Sequence, residues 1–367
     1  MAQTARKVNT SALRRRRAPG APSLFRLLRV GLTLLAVAAC APGGDRARRD
    51  DESAPALRAR ALVANIESPG ATRVGALVWR GGIALTADDP RFGGWSDLWV
   101  SDDGRSLRSV SDEGVWLAAS LDYDAAGRLA RASNARLGRL KDVDGRPLRG
   151  KADADAEGLA ILADGAALVA FERRHRLLRF EPRVGSVDGG LAGVPRVVAT
   201  PPELAAAPRN GGVEAMAALP DGGLLLITEE MVGRDGAMVG WLGAPATGGW
   251  RWMRFHYPVR GGFRPTGAAA LPDGGIVVVE RSFDPLRGWR VRLARVAAVA
   301  LAAAAAGDTL VAIEEIGRLE TPWVVENIEG VAARRGPRGE TLLWLLSDDN
   351  FNPLQRTVLL HFELAPR

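Results

Sequence analysis

The sequence predicts an all-β fold, a β-propeller of six blades with five as the alternative count, and three observations carry that prediction. A short segment recurs five times along the chain. An Asp-Gly dipeptide follows it in four of the copies, and amphipathic helical periodicity is scarce. The 367 residues are 47% hydrophobic and 25% charged, an ordinary globular balance that argues against a disordered chain or one that crosses a membrane many times. A single cysteine excludes a disulfide scaffold.

The net charge of +7 does not describe the predicted propeller. Residues 1–39 hold eight basic residues and no acid, so everything after them is one charge negative, and no nucleic-acid partner is expected. The basic start leads into the apolar run Val30–Ala39, which as a helix would reach about 15 Å, half a bilayer. A basic segment, a short apolar run and small residues read as a signal peptide over residues 1–39. Val37-Ala38-Ala39-Cys40 resembles the lipobox of bacterial lipoproteins, which implies lipidation of Cys40 and a membrane partner through the lipid anchor. Ala41 stands where an aspartate would favour the inner membrane, so the expected location is the cell envelope, at the periplasmic face of the outer membrane. An ordinary signal peptide cut near Ala39 is the alternative. Residues 40–60 are polar and aperiodic and read as a flexible tether, leaving residues 61–367 for the propeller.

The repeat begins at Ser96, Glu157, Glu214 and Thr266, each time running eight residues on to Asp-Gly (Gly104, Gly165, Gly222, Gly274), and a fifth copy with a longer turn begins at Glu329-Gly330. An interval of about 58 residues fits propeller blades rather than helical solenoids. In each copy two apolar runs flank the turn, as in Leu224–Ile227 after Asp221-Gly222, and spell a hairpin. A two-residue type I′ turn at Asp-Gly would set Glu157 opposite Glu172, Glu214 opposite Glu229, Ser96 opposite Ser111 and Thr266 opposite Arg281. Like charges directly opposite repel, so the two glutamate pairs call for a cation, a basic neighbour or a shared proton. The alanine-rich Val296–Ala306 is expected to form one short helix or an irregular excursion. The last strand, Thr357–Phe362, is expected to close the ring by pairing near Leu62 or Val74, which removes exposed sheet edges.

These stretches resemble the phytase-like propellers, the family described as "esterase-like activity of phytase". The resemblance rests on Phe92-Gly93-Gly94 with Ser96, Ser111-Asp112-x-Gly114, Glu157-Gly158, Glu172, Leu219–Gly222, Glu229, Leu271–Gly274, Glu280-Arg281 with Phe283, Asn327-x-Glu329-Gly330, and Ser347–Phe351 with Gln355 and Thr357. It spans Val74 to Leu364. The departures are Trp95 and Asp97 in the first motif, Ala215 in place of a second Glu-Gly glycine, and Ser282 in place of a second arginine. The resemblance implies ester or phosphoester hydrolysis, with a central channel that holds metal ions and phosphate as in calcium-dependent phytases. Fold alone does not fix the reaction.

If the open ends of the hairpins point to the hub, four to six carboxylates converge there, drawn from Glu157, Glu172, Glu214, Glu229, Glu329 and the Asp348-Asp349 pair, with Thr266 and Arg281 beside them. Hard oxygen ligands in that number suit Ca²⁺ or Mg²⁺, and Glu157, Glu172, Glu229, Glu329 and Asp348 are the expected metal ligands, with Ca²⁺ the expected cofactor. Glu157 or Glu214 is expected to move the proton, and Arg281, Thr266 and Asn327 to bind a small anionic ester. The bland alternative has hub acids lining a wet channel and pairing with Arg173, Arg264 and Arg356. Asp153-x-Asp155-x-Glu157 mimics part of a calcium loop and would share one face if extended. No nucleophile elbow is present, zinc spacing is absent, and His175, His256 and His361 are scattered, so structural roles are expected for them. The tryptophans are expected to pack between blades, although Trp95 and Trp116 could edge a pocket. Two functions survive: a divalent-metal-assisted hydrolase of phosphate or carboxylate esters, and a non-catalytic periplasmic propeller that binds a ligand or a protein partner.

Overall fold

The computed structural model describes residues 52–366. The signal peptide, Cys40 and the first part of the expected tether lie outside them. Blade 1 comprises the strands Trp95–Val100, Ser106–Ser111, Val115–Tyr123 and Leu129–Arg139, and blade 2 comprises Ala156–Ile161, Ala167–Phe171, Arg176–Phe180 and Arg196–Val198. Blade 3 is Val213–Ala218, Leu224–Val232, Met238–Ala246 and Gly249–Tyr257, and blade 4 is Arg264–Ala270, Ile276–Asp284, Gly288–Val296 and Glu314–Leu319. Blade 5 is Ile328–Arg335, Thr341–Ser347 and Thr357–Leu364, completed by Leu77–Ala87 from the N-terminal side. The described strands thus group into five blades of at least four strands, with Thr309–Leu310 adding a fifth strand to blade 3. Ring closure follows the expected logic with a different partner, since Thr357–Leu364 pairs with Leu77–Ala87, and Val74 joins only as a neighbour of Leu77.

The expected tether ends earlier than residue 60. Leu57–Ala61 is a strand against Leu77–Ala87, and Ser53 bridges to Leu137 and donates to Asp89. The expected helix is present as Ala298–Ala304.

Five apolar clusters fill the five gaps between neighbouring blades, which is why the ring holds together without a single central core. Trp95, Trp116, Trp241 and Trp344 are fully buried in these gaps, so Trp95 and Trp116 pack blades and edge no pocket.

The turns correct the hairpin register. Leu162 accepts from Gly165 N and donates to Ala166 O, and the same pattern recurs at Leu219 with Gly222 and Gly223 and at Leu271 with Gly274 and Gly275. In these three loops only the glycine of the Asp-Gly has a positive φ, +84° at Gly165, so each is three residues long, a type I turn closed by a left-handed glycine, whereas the Asp103-Gly104 loop spans four residues and keeps the expected register up to the bulge. A type I′ turn would have required the aspartate to be left-handed as well.

Each first strand then carries a β-bulge at the same repeat position. The register slips between Trp95 and Asp97, Ala156 and Gly158, Val213 and Ala215, Pro265 and Gly267, and Ile328 and Gly330. The extra residues are Ser96, Glu157, Glu214, Thr266 and Glu329. A bulge leaves its extra residue out of the ladder and turns it aside, so five side chains leave the sheets at one end of the ring. The glycine after the bulge has a packing reason. A Cβ on Gly267 would lie 2.2 Å from the Glu329 carbonyl oxygen, and one on Gly330 would lie 2.9 Å from the Asp97 Cα, because adjacent first strands approach closely there.

Candidate functional site

The bulges make one set of five positions, and the second strands make another. The last paired residues of the second strands are Ser111, Phe171, Thr228, Arg281 and Ser347. Asp112, Glu172, Glu229 and Asp348 follow the last paired residue in their blades, while Arg281 is itself paired with Arg264. The two sets together place seven acids and one arginine at the end of the ring where the first strands begin. The sequence reading found six of these acids. It missed Asp112, whose position after Ser111 repeats that of Glu172 after Phe171.

The predicted glutamate pairs are not ladder partners, yet each pair meets. Glu214 and Glu229 face the same arginine, and the charge of Glu229 adds to burial in raising the Glu214 carboxyl. Arg281 Nη2 stands beside them, 3.5 Å from Glu229, 4.0 Å from Glu214 and 3.2 Å from Glu329. Glu157 and Glu172 meet differently, joined by Asp155, with one oxygen from each of the three lying within 4.8 Å of the others. Lys151 donates to Asp112 and to Asp155 Oδ1 (2.8 Å), and Arg173 Nε donates to Asp155 Oδ2 at 2.6 Å. Glu172 accepts from the Gly212 N–H. Glu157 has no hydrogen bond or ion pair among the described residues, although Asp155, Glu329 and Asp112 all act on its charge.

Burial followed by neighbouring carboxylates keeps protons on this cluster. Glu157, Glu214 and Asp348 are pushed well above the usual carboxylate range, burial being the larger cause in each. Burial raises Glu172 to about 8, Glu329 to about 7 and Asp112 to about 6, the last two against the opposing charges of Arg281 and Lys151. Lys151 is raised, its carboxylate neighbours outweighing the burial that would lower it.

Three oxygens here are buried and without a hydrogen-bond partner: Ser96 Oγ, Asp112 Oδ1 and Asn327 Oδ1. Ser96 and Asn327 are each 1% exposed. Such orphans are rare in native interiors and cost free energy unless something answers them. An all-oxygen donor set of crowded carboxyls with unanswered oxygens beside it fits a hard divalent cation, and the residues placed to hold one are Asp155, Glu157 and Glu172. Further along the first strands lies a small cavity of about 70 Å³ bordered by Leu98, Leu159, Met216, Val331 and Arg334.

The other predicted residues are placed as follows. Thr266 is 1% exposed and its hydroxyl donates to Ile328 O at 3.2 Å, which ties blade 4 to blade 5. Asn327 Nδ2 donates to Glu329 Oε1 at 2.8 Å. Asp348 is buried, and its Oδ1 accepts from Asn350 N at 2.6 Å. Asp153 is not part of the cluster, because Lys151–Ala154 turns as a short helix and Asp153 pairs with Arg174. Of the arginines in the bland alternative, Arg173 pairs with hub acid Asp155, while Arg356 pairs with Glu326. The histidines are structural: His175 meets Pro208 O, His256 meets Asp308, and His361 stacks on Trp344 with burial lowering its pKa to about 4. Asn350 and Phe351 both have left-handed backbones, φ +49°, which is costly for a ring-bearing residue and is held by Asp349 accepting from the N–H groups of Phe351 and Gly94.

No curated protein matches the sequence. Solved structures similar to the chain include the PQQ-bound aldose sugar dehydrogenase of Streptomyces coelicolor, with a TM-score of 0.42 and 15% identity over 85% of this chain and 99% of that one. The gluconolactonase XC5397 of Xanthomonas campestris follows at 0.40 and 13%, over 84% and 95%. The Cps50 (Swd1) β-propeller domain of Myceliophteria thermophila stands at 0.36 and 11%, over 83% and 99%. At these values nothing about a reaction transfers. Residues 90–351 run from just ahead of blade 1 to the last hub loop of blade 5; they match the family "Phytase-like: Esterase-like activity of phytase", and the chain belongs to that family.

Proposed function

We propose that the hub is the active site of a divalent-metal-assisted hydrolase of phosphate or carboxylate esters. The observation that carries this reading is the Asp155–Glu157–Glu172 cluster, whose oxygens lie within 4.8 Å of one another. When bound there, Ca²⁺ or Mg²⁺ would supply charge stabilisation at an ester oxygen. Glu214 is the proton carrier in this reading. Burial and the charge of Glu229 raise its proton affinity, so in its ionised form it can take a proton from water and return it to the leaving oxygen. Arg281 keeps negative charge tolerable on Glu229 and Glu329, and Asn327 fixes the Glu329 carboxyl. Engaged with three carboxylates, Arg281 acts as counter-ion before it acts as anion grip.

That same engagement favours a second reading, a non-catalytic propeller whose polar hub binds a ligand or a protein. Turnover of an aryl phosphate and an aryl acetate, with Ca²⁺ and with a chelator, separates the two. The hydrolase requires metal-dependent turnover that falls about 100-fold or more in Glu157→Gln and Glu214→Gln. Folded protein without turnover in either condition leaves the binding reading.

We also infer from Cys40 that the chain is a lipid-anchored protein of the cell envelope. Mass spectrometry of the mature N-terminus tests this, and an unmodified Cys40 would overturn it.

A further inference from the structure

Blade 4 differs from the others at the hub. Its bulge residue is Thr266 and its second strand contributes Arg281, so it brings no acid to the two sets described above. The second strand continues past Arg281 to Asp284 and returns at Gly288, forming a hairpin at the same end of the ring. Residues 281 and 283 lie on one face of that strand by alternation. Phe283 pairs in register with Trp289, and their rings stand 4.8 Å apart between centroids. The Arg281 guanidinium carbon lies 5.8 Å from the Trp289 ring centre.

Phe283 is 57% exposed, and among the described phenylalanines it alone is exposed. Leu286, at the hairpin tip, is 97% exposed. The tip is held in place, since Asp284 Oδ1 accepts from the N–H groups of Leu286 (2.8 Å) and Arg287 (3.1 Å). A shaped aromatic pair that buries neither ring in a blade gap, and that abuts the arginine of the hub, is placed to receive a ligand's flat apolar part.

We propose that Phe283 and Trp289 form an aromatic subsite beside the hub, so that the substrate is an ester carrying an aromatic group next to its anionic or ester centre. The proposal rests on the hub being the ligand site. Phe283 sets the specificity and Trp289 supports its ring, while the hub groups handle the polar centre. Offset or edge contact with Phe283 adds attraction that a methyl group cannot make.

Isothermal titration of the full chain in Ca²⁺ tests it with three probes: inorganic phosphate, methyl phosphate and phenyl phosphate. Phenyl phosphate is expected to bind about five- to tenfold more tightly than methyl phosphate. Phe283→Ala removes that preference, Phe283→Tyr keeps it, and both leave inorganic phosphate binding and the melting temperature unchanged. If inorganic phosphate binds while the phenyl-to-methyl ratio is one, or if the ratio survives Phe283→Ala, the subsite is wrong and the hub reading stands. If inorganic phosphate does not bind but the phenyl preference and its dependence on Phe283 remain, the hub reading falls and the subsite stands. If no probe binds, both fall.

Discussion

Leu159 of blade 2 donates its backbone N–H to the Asp97 carboxylate of blade 1 at 2.8 Å. The other oxygen of Asp97 accepts from Leu98 N at 2.8 Å, and the Val331 N–H of blade 5 also favours the charge of this carboxyl. One buried side chain therefore ties blade 1 to blade 2 where the first strand of blade 5 also approaches, at a position where the sequence departs from the family motif. Burial pushes its pKa well above the usual range, against the three N–H groups that favour charge. Asp97→Ala strands these donors and is expected to cost about 1–3 kcal/mol in urea unfolding. No change in the midpoint would show that Asp97 does not join the blades.

The glycines after the bulges should tolerate a methyl group unequally. Gly267→Ala must move the Glu329 carbonyl, and the expected loss is about 3 kcal/mol or more. Gly158→Ala meets the Met216 Cβ at 3.2 Å and should cost about 1 kcal/mol. Ala215, fully buried at the equivalent place in blade 3, shows that one position accepts the extra carbon. Equal midpoints for the two variants would refute the close-approach account.

Calcium should stabilise the protein in a pH-dependent way. Glu172 has its pKa raised from 4.5 to about 8, so the folded state holds its proton more tightly than the unfolded state. The stability from this group is full below about pH 4.5 and declines as pH rises through about 8. Melting temperature in chelator should fall over that window. Ca²⁺ at about 100 times its Kd should restore about 2.7 kcal/mol, or about 5 °C, with a larger gain at the alkaline end. Equal melting curves with and without Ca²⁺ and Mg²⁺ at about pH 8 would remove the metal site.

Removing Arg281 tests the counter-ion role. Arg281→Gln leaves Glu214, Glu229 and Glu329 without their shared cation, and the expected cost is about 3–5 kcal/mol. Glu329 is already raised to about 7, and losing the arginine raises it further. The penalty should therefore grow with pH as these carboxyls are forced to ionise, and shrink where they stay protonated. A penalty independent of pH would mean that the side chain matters through packing alone.

Much of this was legible in the residues. The recurring Glu-Gly and Asp-Gly positions located five hairpins and the end of the ring that carries the acids. Sequence did not show the bulges, because a bulge leaves spacing along the strand unchanged and alters only the pairing across it. Glu157 and Glu172 were matched by a turn geometry that does not occur, and they meet because the bulge and the three-residue loop displace the register together. Asp112 escaped notice because blade 1 offers Ser96 where others have glutamate, so its second-strand acid looked like part of a turn. The strand that completes blade 5, Leu77–Ala87, was obscured because it comes from a region with no repeat of its own.

That borrowed strand also decides when the molecule can be finished. Thr357–Leu364 and Leu77–Ala87 come from opposite ends of the sequence, so their seam is a contact of very high order and must form late. Until it does, two long apolar edges remain free to join with other chains. Loss of the C-terminal strand would therefore leave an open arc prone to self-association, rather than a smaller propeller.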